Sequence, residues 1–203
     1  MAVLEVFADV RCPFTHVGLR RLVERRHALG TGVTLHVRAW PLELVNSAPL
    51  NVSVIDEEIQ ALRAQVAPDL FTGFVPATFA STSLPALDLT VAAYGRGRAT
   101  GEAVALALRW ALFEEGRDIA DPLVLGDVAR RFDVAWSEGD GAGGVLDEWS
   151  DGAGRGVVGS PHFFVGGENW FCPVLEIRHA DGDLRVSESA AALDSLLERA
   201  SVS

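Results

Sequence analysis

The chain has 203 residues, a formal net charge of −11 and two cysteines, and all 17 of its basic residues are arginine. Two cysteines are too few for a disulfide framework or a four-cysteine zinc site. The acidic balance argues against a protein that coats nucleic acid or an anionic membrane surface. A hydrophobic fraction of 49% indicates one packed domain, with or without an insertion.

The sequence also indicates where the protein is located. No apolar run reaches the roughly 18–20 residues of a membrane span. The N-terminal segment lacks the basic region and long apolar stretch of a secretory signal. We therefore expect a cytoplasmic protein with reduced thiols and with neither nucleic acid nor membrane as a partner.

The first fifty residues predict a strand, a helix and a second strand. Residues 3–8 are mostly apolar and end at a polar break, which favours a buried strand. Residues 14–29 have an apolar stripe at helical spacing and are followed by glycine. Residues 33–39 alternate between apolar and polar side chains, which is typical of a half-buried strand. A strand–helix–strand crossover places the two strands parallel in one sheet.

The middle of the chain predicts helices alone. Helix-start residues and apolar periodicity indicate four helices, at residues 54–66, 85–94, 102–115 and 122–132. We therefore expect residues 54–138 to form an all-helical insertion.

Strand patterns return near the C-terminus. After a helix at 145–153, the sequence predicts strands at 157–165 and 170–177, joined by a glycine-rich hairpin turn. Ser187 is the predicted cap of a last helix. We expect residues 1–53 and 139–203 to share one sheet, which makes the fold class α/β with a helical insertion.

Cys12 lies between the end of the first predicted strand and the start of the first helix. A helix N-terminus carries about half a positive charge and free N–H groups, so it favours a thiolate and predicts a pKa below about 8.5. Pro13 suits the first helical turn. His16, one turn further on, is placed to reach the sulfur. The alternative is that Cys12 is a small buried residue without chemistry.

Two segments carry a resemblance to a known family. The segment from Asp9 to His16 resembles the active-site start of DsbA-like proteins in the thioredoxin superfamily. The segment from Gly159 to Val165 resembles the family's strand start around a cis-proline. The resemblance implies a thioredoxin-like domain at 1–53 and 139–203, a reactive Cys12 and a cis Ser160–Pro161 bond. It also implies a substrate site that comprises Pro13, Phe14, His16, Ser160, Pro161 and His162.

One position departs from the family pattern. Disulfide oxidoreductases of the family carry Cys-x-x-Cys, whereas this chain has Thr15 as the fourth residue of the motif. A threonine cannot resolve a mixed disulfide. A hydroxyl there is similar to the motif of kappa-class glutathione transferases and 2-hydroxychromene-2-carboxylate isomerases, where it contacts glutathione. Thr15 is therefore either a second catalytic residue or an ordinary residue of the first turn.

The remaining cysteine and histidine are weaker candidates. Cys172 falls on the strand after the hairpin, roughly opposite Phe163, and we expect it to be buried and inert. His162 follows Pro161, where it either lies near Cys12 or occupies the surface. The histidines lack metal-ligand spacing, so no metal site is predicted.

Three functions remain open. The first is monothiol thiol–disulfide exchange through Cys12, with no tightly bound cofactor and with a small-molecule thiol such as glutathione as co-substrate. The second is a transferase or isomerase of the same fold that uses a small thiol. The third is a non-catalytic binding module on that scaffold. The resembling groups also imply a homodimer.

Overall fold

The computed structural model of the protein describes residues 2–180 and 183–202. The described residues form six strands: β1 (Val3–Ala8), β2 (Thr34–Ala39), β3 (His162–Val165), β4 (Glu168–Phe171), β5 (Leu175–Ala180) and β6 (Asp183–Glu188). They also form eight α-helices: α1 (Pro13–Leu29), α2 (Leu42–Val45), α3 (Val52–Gln65), α4 (Leu84–Arg96), α5 (Arg98–Phe113), α6 (Pro122–Arg131), α7 (Ala142–Gly154) and α8 (Ala190–Val202). A short 3-10 helix covers Pro76–Thr78.

The first four strands form one mixed sheet in the order β2-β1-β3-β4. β1 is parallel to β2 and antiparallel to β3, and β3 is antiparallel to β4. The two ends of the chain therefore share one sheet, with helices α2 to α7 between β2 and β3. The expected α/β class with a helical insertion is confirmed, whereas the insertion boundaries at 54 and 138 stay a prediction.

Side chains from α4, α5 and α7 cap the exposed edge of the sheet. β2 is an edge strand, and unpaired N–H groups on such a strand invite pairing with another chain. Three side chains accept hydrogen bonds from them: Glu102 from Leu35 N at 2.8 Å, Tyr94 from Val37 N at 2.8 Å and Glu148 from Ala39 N at 2.6 Å. These hydrogen bonds fix α4, α5 and α7 against β2.

The chain after the hairpin differs from the prediction. The expected single strand at 170–177 is wrong. β4 ends at Phe171 and a separate strand, β5, begins at Leu175. Cys172 adopts a left-handed backbone with φ 43°, and Pro173 has no N–H to donate to a ladder. β5 and β6 then form a separate two-stranded sheet. Ser187 lies inside β6, and Ser189 instead precedes α8 and accepts from Ala192 N.

Two other boundaries were also predicted wrongly. α5 begins at Arg98 rather than at residue 102, because Gly97 alone separates it from α4. The strand predicted from residue 157 begins only at His162, after the Ser160–Pro161 bond. No helix among the residues described is long and apolar enough to cross a membrane.

Candidate active site

Cys12 is the N-cap residue of α1 and has extended backbone angles, with Pro13 at the next position. Its side chain is 4% exposed. The thiol Sγ donates a hydrogen bond to the carbonyl oxygen of Ser160 at 3.2 Å. The junction of β1 and α1 therefore places a neutral thiol directly against the backbone of Ser160.

Thr15 and Ser160 form the polar centre of the site. Their hydroxyl oxygens are 2.8 Å apart, and the Thr15 side chain is fully buried. Ser160 Oγ also accepts a hydrogen bond from Asp9 N at 2.9 Å. Hydrogen bonds from the Thr15 hydroxyl and N–H favour the charged form of Cys12. Thr15 thus contacts both Ser160 and the sulfur of Cys12.

Pro161 and Cys172 lie on the other side of Ser160. The Ser160–Pro161 peptide bond is cis. Cys172 N donates to the Pro161 carbonyl oxygen at 2.8 Å, so Cys172 is opposite Pro161 and not Phe163, which pairs with Trp170. Both cysteines are free thiols. Cys172 is buried, as expected, and burial raises the pKa of its thiol to about 12.

The expected low pKa of Cys12 is wrong. Burial raises the pKa of the thiol above its ordinary value, although hydrogen bonds from Thr15 and from Ser160 lower it in part. The helix N-terminus is where the sequence predicted it. The surrounding side chains remove water from the sulfur, and this desolvation outweighs the stabilisation of the thiolate.

His16 was expected to reach the sulfur of Cys12, but its hydrogen bond is to Glu114. Its Nε2 lies 2.8 Å from Glu114 Oε1, and its ring packs against Phe71 and Phe113. Burial lowers the pKa of His16. Burial opposes ionisation of Glu114 as well, but hydrogen bonds from His16 and from the backbone of Thr72 and Phe71 lower its pKa to about 2. The pair joins α1 to the end of α5.

His162 has a similar packing role. Its Nδ1 accepts from Val158 N at 3.2 Å, and its Nε2 lies 2.9 Å from Asn169 Oδ1. The ring is stacked on Phe164. The polar atoms of His162 are thus directed to the β3–β4 hairpin and the segment before β3, and not to the sulfur of Cys12.

The two remaining predicted residues differ in exposure. Pro13 is buried at the helix start, whereas Phe14 is half-buried. Phe14 borders a cleft of about 480 Å³ between α3 and the β5–β6 hairpin. Of the predicted substrate contacts in the Cys12 motif, Phe14 is therefore the side chain that a ligand in this cleft would contact.

A buried charged network behind Cys12 was not predicted. The Asp9 carboxylate accepts hydrogen bonds from Arg11 N, Leu42 N and Ser83 Oγ. The Arg11 guanidinium is 3.1 Å from Glu43 and donates to two carbonyl groups at residues 80 and 81. Burial raises the pKa of Asp9. The sequence signal for this network was a pair of charged residues, Asp9 and Arg11, between the apolar first strand and Cys12.

Arg109 is a second buried cation that the sequence interpretation missed. It projects from α5 and donates from Nη2 to the Asp9 carbonyl oxygen at 3.3 Å and from Nη1 to Ala105 O at 2.8 Å. Burial lowers its pKa to about 10, and a charge on Cys12 acts in the opposite direction. An arginine within an otherwise apolar helical run was the signal that could have revealed it.

The described ranges 2–180 and 183–202 contain no cluster of three or more histidine, cysteine or acidic residues that could hold a metal ion.

A four-stranded mixed sheet, a cysteine at the N-cap of the helix after β1 and a helical insertion before β3 define a thioredoxin-like fold. The chain belongs to the DSBA-like thioredoxin domain family, whose model matches residues 3–176. No curated protein matches the sequence.

Solved structures similar to this chain include the following three. A candidate protein disulfide isomerase from Nitrosomonas europaea has a TM-score of 0.68 and covers 97% of this chain and 96% of its own, at 16% identity. A 2-hydroxychromene-2-carboxylate isomerase has a TM-score of 0.61 and covers 83% and 88%, at 16% identity. The cytosolic disulfide reductase DsbM from Pseudomonas aeruginosa with GSH has a TM-score of 0.60 and covers 97% and 96%, at 16% identity. These comparisons establish a shared fold.

Proposed function

We propose that the protein is a thiol–disulfide oxidoreductase that uses Cys12 as its single reactive thiol and a small-molecule thiol for recycling. The observation that carries this proposal is the triangle of Cys12, Thr15 and Ser160, in which a hydroxyl stands where a second cysteine would resolve a mixed disulfide. The hydroxyl and N–H of Thr15 stabilise the thiolate.

The reaction has two exchange steps. The Cys12 thiolate attacks a disulfide R–S–S–R′, so that a Cys12–S–S–R bond forms, the substrate S–S bond breaks and R′–S⁻ leaves with the proton that Cys12 gave up. A glutathione thiolate then attacks the R sulfur, forms an R–S–S–glutathione disulfide and restores the Cys12 thiolate. A small thiol of this kind suits the predicted cytoplasmic location. DsbM, of similar fold, has been crystallised with GSH.

The buried charges around the sulfur support this chemistry. Arg109 interacts electrostatically with a charge on Cys12, and its guanidinium contacts the Asp9 carbonyl oxygen. The thiol is neutral at rest, since burial raises its pKa. Docking of a substrate next to the thiol would complete the environment in which it ionises.

A second candidate is a transferase or isomerase that holds a small thiol next to Thr15. The observation in its favour is that the hydroxyl and N–H of Thr15 already stabilise a thiolate, that of Cys12, and could do the same for another sulfur. In that reaction the thiolate of the co-substrate would be the nucleophile, and Thr15 would hold its sulfur. Cys12 would then contribute to binding alone.

The test is the turnover of a glutathione–hydroxyethyl mixed disulfide, together with mass spectrometry of the protein after exposure to glutathione disulfide. We expect wild type to gain one glutathione on Cys12 and to turn over the mixed disulfide. Cys12→Ser should lose both, whereas the matched variant Cys172→Ser should keep both.

Equal turnover by wild type and Cys12→Ser would reject the proposal. The second candidate has a different signature, which is conjugation of glutathione to 1-chloro-2,4-dinitrobenzene. That activity would survive in Cys12→Ser and be lost in Thr15→Val.

A further inference from the structure

The cleft next to the Cys12 motif contains a carboxylate that has no partner among the residues described. The cleft lies between α3 and the β5–β6 hairpin, and Phe14 borders it two residues after Cys12. Gln65 closes one end, since its amide donates to Leu184 O at 2.9 Å and accepts from Val186 N at 2.9 Å. Glu58 lines the cleft from α3 and is half-buried.

Glu58 differs from three other buried or half-buried carboxylates near the sheet. Glu43 pairs with Arg11, and Glu102 and Glu148 each accept a backbone N–H and contact an arginine. Within residues 2–180 and 183–202, by contrast, no hydrogen bond or ion pair reaches the carboxylate of Glu58. A carboxylate that has lost part of its water without gaining a partner is destabilised in its charged form.

Glu58 and Cys12 influence one another. Burial raises the pKa of Glu58 to about 7, so that the carboxyl group is partly ionised at neutral pH. Its negative charge in turn contributes to the raised pKa of Cys12. A positive group placed between the two would stabilise the carboxylate and the thiolate together.

The remaining walls of the cleft suit a ligand with a cationic end and an apolar stem. Among the described residues, three acidic ones line it, Glu57, Glu58 and Asp183, and Arg185 is already paired with Asp183 at 3.1 Å. His179 is the other titratable group among those described there. Phe14 and Ile177 supply apolar surface.

We infer that this cleft selects substrates that carry an ammonium or guanidinium group close to the reacting sulfur, and that Glu58 pairs with that group. The inference rests on the proposed function, because it assigns a substrate class to the same thiol. A bound cation compensates Glu58 and removes its repulsion of the Cys12 thiolate. Cationic disulfides should therefore react faster than anionic ones of equal size.

The test uses two methanethiosulfonates of opposite charge on a Cys172→Ala background, so that Cys12 is the thiol that reports. One reagent carries a trimethylammonioethyl group and the other a sulfonatoethyl group. In both reactions the Cys12 thiolate attacks the sulfenyl sulfur, a Cys12–S–S–R bond forms, and methanesulfinate leaves. We expect the cationic reagent to react faster, and Glu58→Gln to reduce the ratio of the two rates by about five-fold.

The matched control is Glu198→Gln, which removes the same charge from an exposed position on α8. It should leave the ratio near that of wild type, since it changes only the net charge. Glu58→Lys should invert the preference.

An unchanged ratio in Glu58→Gln would overturn the inference. If both reagents were slowed equally in that variant, Glu58 would instead act as a proton acceptor for the thiol. Failure of the proposed function looks different. In that case Cys12 would still react faster with the cationic reagent than with the anionic one. Cys12→Ser would nevertheless turn over disulfides as fast as wild type.

Discussion

The hydroxyl oxygens of Thr15 and Ser160 lie 2.8 Å apart and join the first turn of α1 to the segment just before β3. Ser160 Oγ accepts from Asp9 N, just after β1. Two hydroxyls and one N–H therefore hold Ser160 against the β1–α1 junction, which lies 145 to 151 positions earlier in the sequence. The same contacts place the Ser160 carbonyl oxygen against the sulfur of Cys12.

We expect Thr15 and Ser160 to be energetically coupled. Thr15→Val and Ser160→Ala should each lower the free energy of unfolding by about 1–3 kcal/mol, because each leaves a buried polar group unpaired. The double variant should cost about 1 kcal/mol less than the sum. Urea denaturation at pH 7 measures all four proteins. Thr15→Ser is the control that keeps the hydroxyl, and strict additivity would contradict the coupling.

Arg109 should lower the pKa of Cys12 from inside the protein. Arg109→Leu removes a buried cation that interacts with the thiolate, so the pH midpoint of Cys12 alkylation should rise by about one unit. Iodoacetamide rates as a function of pH, measured in a Cys172→Ala background, give that midpoint. Arg109→Lys should keep most of the wild-type profile. A midpoint that does not move in Arg109→Leu would show that burial and the hydrogen bonds from Thr15 set the pKa of Cys12 without Arg109.

Cys172 should make the fold sensitive to alkali. Its pKa is raised from 9.0 to about 12, so the folded state keeps a proton that the unfolded state loses. This contribution to stability is complete below pH 9 and is lost between pH 9 and 12, at about 1.4 kcal/mol per pH unit. Cys172→Ala should flatten that decline, as urea denaturation at pH 8 to 11 would report. An identical slope in both proteins would contradict the assignment.

Glu114 should stabilise the fold in the opposite pH range. Its pKa is lowered from 4.5 to about 2, so the folded state stays ionised where the unfolded state binds a proton. The stability is full above pH 4.5 and is lost as the pH falls towards 2. Glu114→Gln should cost about 1–3 kcal/mol at pH 7 and much less at pH 3. Thermal unfolding at the two pH values tests this, with exposed Glu115→Gln as the control.

The sequence was sufficient to predict the architecture, because its signals are local. Apolar periodicity and helix-start residues give the order of strands and helices, and Cys12 with Pro13 marks the start of α1 correctly. The interruption at Cys172 was missed, although Pro173 within the run from 170 to 177 argues against a single strand. The left-handed backbone of Cys172 shows where the chain turns.

The site was less predictable because its chemistry depends on contacts distant in sequence. A helix start favours a thiolate locally, but the carbonyl oxygen that accepts from the Cys12 thiol belongs to Ser160, 148 positions away. His16 was placed one turn from the sulfur by helical spacing, yet its partner Glu114 lies at the end of α5. Glu58 belongs to no sequence motif. It became a candidate because it lines the cleft that α3 forms with the β5–β6 hairpin.

The hydrogen bond from the Cys12 thiol to the Ser160 carbonyl oxygen has a consequence for the ionisation of Cys12. This oxygen accepts the thiol proton, so any ligand N–H that reached it would compete with the thiol for the same acceptor. A thiol that lost this acceptor would lose the contact that stabilises its protonated form. Ionisation of Cys12 would thus be coupled to occupancy of one backbone oxygen.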